Sequence, residues 1–292
     1  MTVDLLLAPA GASKTAHAIE RIQALPPLAH VRVLVPGQLQ AEAFRRRLTA
    51  AGGTLGVEIQ TFYDLYGDML AQAPGAHEGL TRLPPAVRYR LIRHLMESLC
   101  DAEDLSYYAP LRHSSGFAYL LGELIAELKR ARVFPEDFSH VLSTPERDDQ
   151  RLTELARFYT AYQSWLTENG WADAEGQAWL AAVALEENPA LLADLSLLIV
   201  DGFDEFNPTQ LHVLRLLTDR SAESLITLTG DPDRPQRLAH RRPARARAAL
   251  TDTLDVTITH THTHTPPSPP HPLAHLEAYL FASAAPIPAA DA

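Results

Sequence analysis

The chain has 292 residues, a formal net charge of −11, 46% apolar residues and 21% charged residues, which excludes wholesale disorder. No run of about 18 apolar residues could span a membrane, the Met1-Thr2-Val3-Asp4 start lacks a signal peptide's basic region, and the lone Cys100 can form no internal disulfide. A cytoplasmic protein of roughly two domains, without membrane association, is expected, and its acidic balance argues against coating nucleic acid by bulk charge while allowing a local basic track.

The apolar run 3–8 predicts a strand that ends in Pro9-Ala10-Gly11-Ala12-Ser13-Lys14-Thr15. Residues 16–25 then set Ala18, Ile19, Ile22 and Leu25 on one helix face. Further strands are expected over 31–35 and 57–61, and helices over 40–50 and 62–71. Alternating strands and helices imply an α/β domain on a parallel sheet. From about 83 to 193 the strand pattern vanishes, and helical patterns cover 85–99, 115–132, 148–168 and 173–186. An all-helical block is therefore expected inside the α/β domain. Strands return over 195–200 and 224–229, with a helix over 208–218 between them and a loop over 230–233. Residues 234–247 hold six Arg, Arg234, Arg237, Arg241, Arg242, Arg245 and Arg247, and read as a solvated loop or as a DNA contact. Thr and His alternate over 255–265, a Pro-rich stretch covers 266–272, and a short helix is expected over 273–281. The expected organisation is 1–80 and 194–265 as the two parts of the α/β domain, 81–193 as the helical insertion, and 266–292 as linker and tail.

All the Lys and Arg residues except Lys14 and Lys129 are Arg. A surviving Lys marks a place where a compact ammonium serves and a planar guanidinium does not. Ala8 to Thr15 is a degenerate form of the phosphate-binding loop G-x-x-x-x-G-K-[ST], with Ala8 and Ser13 at two Gly positions and Gly11 retained. In such a loop backbone N–H groups at a helix N-terminus face the phosphates. Lys14 would reach the β- and γ-phosphates and the Thr15 hydroxyl would hold Mg²⁺. The same residues also fit an ordinary strand–turn–helix with a surface Lys.

The strand before Asp201 ends in a carboxylate. In phosphate-loop NTPases such an Asp, on the strand next to the loop, holds Mg²⁺. It opens the segment Asp201-Gly202-Phe203-Asp204-Glu205-Phe206-Asn207-Pro208-Thr209-Gln210, and Gly230-Asp231 follows. Here the chain resembles superfamily 1 DNA helicases of the UvrD type, and most closely the AddB/RexB-like subunit of bacterial helicase–nuclease complexes. Those subunits carry Asp-Gly-Phe-x-x-Phe-x-Pro-x-Gln, which 201–210 fits. Val33-Leu34-Val35-Pro36 with the helix after it resembles a further helicase motif. Gln60-Thr61-Phe62-Tyr63-Asp64-Leu65 resembles the motif near the single-stranded DNA path, and Gly230-Asp231 the motif that couples nucleotide to DNA. Glu127-Leu128-Lys129-Arg130, Pro135, Tyr159, Tyr162 and Asp173 resemble the family's inserted helical subdomain.

The resemblance implies a RecA-like P-loop domain with an all-helical insertion. It implies ATP and Mg²⁺ as cofactors, held by Gly11, Ser13, Lys14, Thr15, Asp201, Gly230 and Asp231, with Thr15 and Asp201 on the metal. It implies contact of Thr61, Phe62, Tyr63 and Arg234 with single-stranded or double-stranded DNA, a heterodimer with an active helicase–nuclease subunit, and a role in double-strand-break repair. Active UvrD-type helicases carry Asp-Glu at the strand end, where this chain has Asp201-Gly202, leaving Glu205 as the candidate catalytic carboxylate. Arg234 stands where a Gln is expected, with Gln236 nearby. Nucleotide binding with weak hydrolysis is therefore expected of what reads as the N-terminal portion of a longer protein. The rival readings are a scaffold that holds DNA or a partner helicase without nucleotide, and a small-molecule kinase.

His260, His262 and His264 would share one face of a strand and read either as metal ligands or as a polar edge strand. Tyr159, Tyr162 and Trp165, at helical spacing, read as core rather than as a base-stacking platform; Phe62 and Tyr63 read as better DNA candidates, with packing against the helical block as the rival reading.

Overall fold

A computed structural model describes residues 3–73, 80–142, 149–230 and 238–260. The chain divides into two compact units. The first comprises Met1–Phe62, Leu192–Phe206 and Leu214–Ala292, and the second Tyr63–Leu191 and Asn207–Val213.

The first unit is built on a six-stranded sheet. Its strands are β1 (Val3–Ala8), β2 (Val31–Leu34), β3 (Val57–Gln60), β6 (Leu197–Val200), β7 (Glu223–Thr229) and β8 (Val256–His260), in the order β3-β2-β6-β7-β1-β8. Every pairing is parallel. All four residues of the interior strand β6 are fully buried, because a parallel strand is covered on both faces. Helices α1 (Lys14–Gln23) and α2 (Gln38–Ala50) share one sheet face. Ala18, Ile19 and Ile22 of α1 and Ala41, Phe44 and Leu48 of α2 pack with Leu6, Val33, Ile199 and Leu225. Each large side chain buried there contributes about 1.5–3 kcal/mol.

Two expectations are corrected in this unit. The strand that ends at Asp201 is not next to the strand that enters the loop: β7 lies between β6 and β1. The Arg-rich segment reads as a loop, but its Arg241–Arg247 part is helical, in α10 over Arg241–Thr253, while Arg234 and Arg237 lie outside the described residues. Ala and Arg favour helix, Pro243 sits in its first turn where no N–H is missed, and Pro243, Ala246 and Leu250 form its buried stripe. Strand β8 lies at the sheet edge. His262, His264 and the helix expected over 273–281 lie outside the described residues.

The second unit contains most of α3 (Phe62–Gln72), then α4 (Pro85–Asp101), α5 (Ser115–Arg130), α6 (Pro135–Leu142), α7 (Gln150–Glu168) and α8 (Ala174–Glu187). Helix α9 (Pro208–Thr218) begins in this unit and ends in the first. Side chains cap helix N-termini in this unit: Ser114 accepts from Phe117 N, Asp149 from Arg151 N, Asp173 from Gly176 N, and Asn207, before α9, from Gln210 N. Helix α5 stops two residues short of expectation because Arg132 turns left-handed at φ 58°. The core gathers Leu91, Ile92, Leu121, Ile125, Phe158, Tyr159 and Tyr162, so the two tyrosines are core residues, as their spacing predicts. A pair of two-residue strands, β4 (Thr81–Arg82) and β5 (Trp171–Ala172), pairs in parallel where no strand is expected. Two residues carry no periodicity to read. Among the described residues, no helix is long and apolar enough to cross a membrane.

Candidate nucleotide site

Strand β1 delivers the chain at Ala8 into the turn 9–13, and α1 starts at Lys14. Gly11 has φ 78° and Ser13 φ 57°, so both stand in the left-handed region. Gly11 reaches it without strain, whereas for Ser13 it costs about 1–2 kcal/mol. Ser13 is the N-cap residue, yet its side chain makes no capping hydrogen bond. The first-turn N–H groups of a helix lack intrahelical acceptors, and the helix dipole adds positive potential there. The loop, Glu20 and Gln23 of α1 and Arg47 of α2 line a cavity of about 770 Å³.

Lys14 folds back over the loop, donating from Nζ to Ala8 O at 3.0 Å and Pro9 O at 2.8 Å. Burial lowers its pKa, and the nearby Asp201 charge opposes that shift. Thr15 Oγ1 donates to Asp201 Oδ2 at 2.8 Å, although the two residues lie 186 positions apart and on elements separated by β7. Asp201 is buried, and its N–H donates to Leu34 O at 2.9 Å. Thr227 of β7 donates to its other carboxylate oxygen. These are hard oxygen donors suited to Mg²⁺, which binds through one or two carboxylates together with substrate phosphates. Among the described residues no group of three or more His, Cys, Asp or Glu could hold a metal.

The structure thus brings Gly11, Ser13, Lys14, Thr15 and Asp201 to one sheet end. Gly230 closes the same edge, donating from its N–H to Ala8 O at 3.0 Å. Gly202, which stands where active UvrD-type helicases carry Glu, has φ +85°, a conformation that strains any side chain. Glu205 is not brought to the carboxylate: it is 70% exposed, with Arg242 Nε 4.0 Å away. Asp231 and Arg234 lie outside the described residues. Thr61 is buried. Phe62 is 2% exposed and packs edge-on against Phe203 at 5.5 Å, so its ring is a core ring. In the second unit Tyr63 is 44% exposed, 3.5 Å from Glu175 Oε1, and Arg130 Nη1 pairs with Glu175 at 3.2 Å. Sequence reasoning missed Thr227. Its one signal was a polar residue inside the apolar run 225–228 of that strand.

The family model described as ADDB, N-terminal, matches residues 5–259. The chain belongs to this family. It is 30% identical over 258 residues to an ATP-dependent helicase/deoxyribonuclease subunit of Moorella thermoacetica, an alignment that covers 83% of this chain and 21% of that protein. The corresponding protein of Natranaerobius thermophilus is 26% identical over 242 residues, covering 80% of this chain and 20% of the relative. That of Ruminiclostridium cellulolyticum is 26% identical over 239 residues, covering 79% and 20%. The chain therefore spans about a fifth of the length of the curated relatives it matches.

Proposed function

We propose that this AddB-family chain is the nucleotide-binding, helicase-like part of an ATP-dependent helicase/deoxyribonuclease. Its first unit is read as a RecA-like P-loop domain and its helical unit as the inserted subdomain of such helicases. The supporting observation is the Thr15–Asp201 hydrogen bond beneath a helix N-terminus that carries Lys14. The first-turn N–H groups would hold the phosphates of ATP, and Lys14, which now donates to the Ala8 and Pro9 carbonyls, would turn to phosphate oxygens. Thr15 and Asp201 would hold Mg²⁺, which supplies charge neutralisation at the phosphates. With Gly202 in place of Glu, this reading assigns binding and coupling rather than efficient hydrolysis.

The same reading places DNA against the first unit near Thr61 and the Arg face of α10, and against the second near Tyr63. It takes a helicase–nuclease partner subunit and double-strand-break processing as the setting. A second reading is favoured by the left-handed, uncapped Ser13: a scaffold with a decayed loop that holds DNA or a partner without nucleotide. Calorimetric titration of ATP–Mg²⁺ separates them. The first reading requires binding by the wild-type chain and its loss in Lys14→Ala with the fold intact. Equal affinity in both proteins, or none in either, sinks it.

A further inference from the structure

We infer that Thr227 is a positioning residue that holds Asp201 ready for a phosphate-bound divalent cation. The inference rests on the nucleotide reading above and adds a residue to that site. In the β6–β7 register Val200 faces Ile226, so the next residue on each strand brings Asp201 beside Thr227. Strand alternation puts Thr227 on the face of Leu225, which packs with α1 and α2. That is the face on which the loop and α1 begin. Thr227 is 2% exposed and Asp201 7%.

The two carboxylate oxygens are divided between two hydroxyls. Thr15 donates to Oδ2 and Thr227 to Oδ1, one from the helix that follows β1 and one from the strand between β1 and β6. Two fixed donors set the plane of the carboxylate, and each hydroxyl that spends its proton on Asp201 turns its lone pairs outward. For Thr15 that is the state in which its oxygen can join a cation. The flanking residues of β7, Leu225, Ile226 and Leu228, are buried and apolar. Val would fill the position of Thr227 equally well in a strand. The hydroxyl has its use in Asp201.

The test is ATP titration of the whole chain with Mg²⁺ and again with EDTA, for wild type, Thr227→Val and Thr227→Ser. Loss of a partner that orients a metal-holding group typically lowers metal-dependent affinity about 10–100-fold. Thr227→Val should lose about that much in Mg²⁺ and keep its affinity in EDTA, while Thr227→Ser restores the Mg²⁺ effect. Equal losses in Mg²⁺ and EDTA would make Thr227 a packing residue, and no loss would remove it from the site. Both results overturn the inference and leave the nucleotide reading standing. A wild-type chain that binds ATP with no Mg²⁺ effect overturns the inference alone. One that binds no ATP under either condition overturns both.

Discussion

Lys129 Nζ lies 2.6 Å from Asp173 Oδ1, with the Lys side chain fully buried and the Asp side chain 3% exposed. The same ammonium donates to Gln163 Oε1 at 3.0 Å and stands 5.0 Å from the centre of the Trp179 ring. Asp173 also accepts from Tyr162 Oη at 3.0 Å and from Gly176 N at 2.7 Å. A point cation with a tetrahedral set of donors fits among these groups. A planar guanidinium does not, which accounts for one of the two Lys residues in an Arg-rich chain. Breaking one side of a buried pair leaves an uncompensated charge and costs about 3–5 kcal/mol. Lys129→Met should lower stability by that order, and Lys129→Arg should also destabilise, in denaturant titrations that follow the helical unit. A stable Lys129→Arg would mean that the cage adapts to shape.

Ser13 gives a prediction with a definite sign. Its backbone is left-handed and its hydroxyl makes no capping hydrogen bond. Ser13→Gly should raise the stability of the free protein by about 1 kcal/mol. That strain is shared by the free and bound forms, but the Ser13 side chain would also crowd bound phosphates, and its removal should tighten ATP–Mg²⁺ binding by roughly tenfold. If the hydroxyl instead donates to a phosphate, the Gly variant binds more weakly, by about 1.5–3 kcal/mol. Paired titrations of the two proteins read the sign directly.

Much of this was legible in the chain. The strand–loop–helix start, the helix over 208–218 and the carboxylate at 201 follow from apolar periodicity and from residues with few other uses. The order of the strands did not follow. Local periodicity marks β7 as buried but says nothing of its insertion between β1 and β6, which depends on crossovers over long separations. Phe62, open in the sequence between a DNA contact and a packing role, is buried against Phe203, because an aromatic at a motif position carries no mark of its burial. In α10 the density of Arg masks the sparse buried stripe of Pro243, Ala246 and Leu250 that makes it a helix.

Glu154 predicts how the helical unit responds to acid. Its buried carboxylate accepts from the N–H groups of Ser106, Tyr107 and Tyr108 at 3.0, 2.7 and 3.0 Å. Burial pushes its pKa up, but the hydrogen bonds outweigh burial and hold it below the ordinary 4.5. Between the two pKa values the unfolded chain binds more protons, so stability is present above the unfolded value and falls as pH drops through the folded one. Wild type should lose stability below about pH 4.5, and Glu154→Gln should show a shallower loss there from a lower starting stability. Parallel acid titrations of the two proteins would refute the assignment.

Hydrolysis should be near background for the purified chain. Gly202 occupies a left-handed position beside Asp201, and Glu205 is exposed near Arg242, so neither the residue after Asp201 nor Glu205 is set to activate a water. Gly202→Glu should not create activity, because the side chain would meet about 1–2 kcal/mol of backbone strain at that φ. Phosphate release by wild type that disappears in Asp201→Ala would show that another group serves as base.

The exposed face of α10 carries the last prediction. Arg241 and Arg245 lie four residues apart on the solvent side of a helix whose opposite stripe is buried. Arg242 reaches toward Asp204 at 3.7 Å and Glu205 at 4.0 Å and is left aside. If this face meets a DNA backbone, each neutralised phosphate releases counterions, and the slope of log affinity against log salt falls by about 0.7 per contact for a single strand. Arg241→Gln with Arg245→Gln should then reduce that slope by roughly 1.4, and should weaken binding by similar factors for unrelated sequences, since phosphate contacts carry no sequence information. Stability should stay within about 0.5 kcal/mol, as expected for exposed positions. An unchanged slope in the double variant would assign α10 to solvent and move the DNA contact elsewhere on the chain.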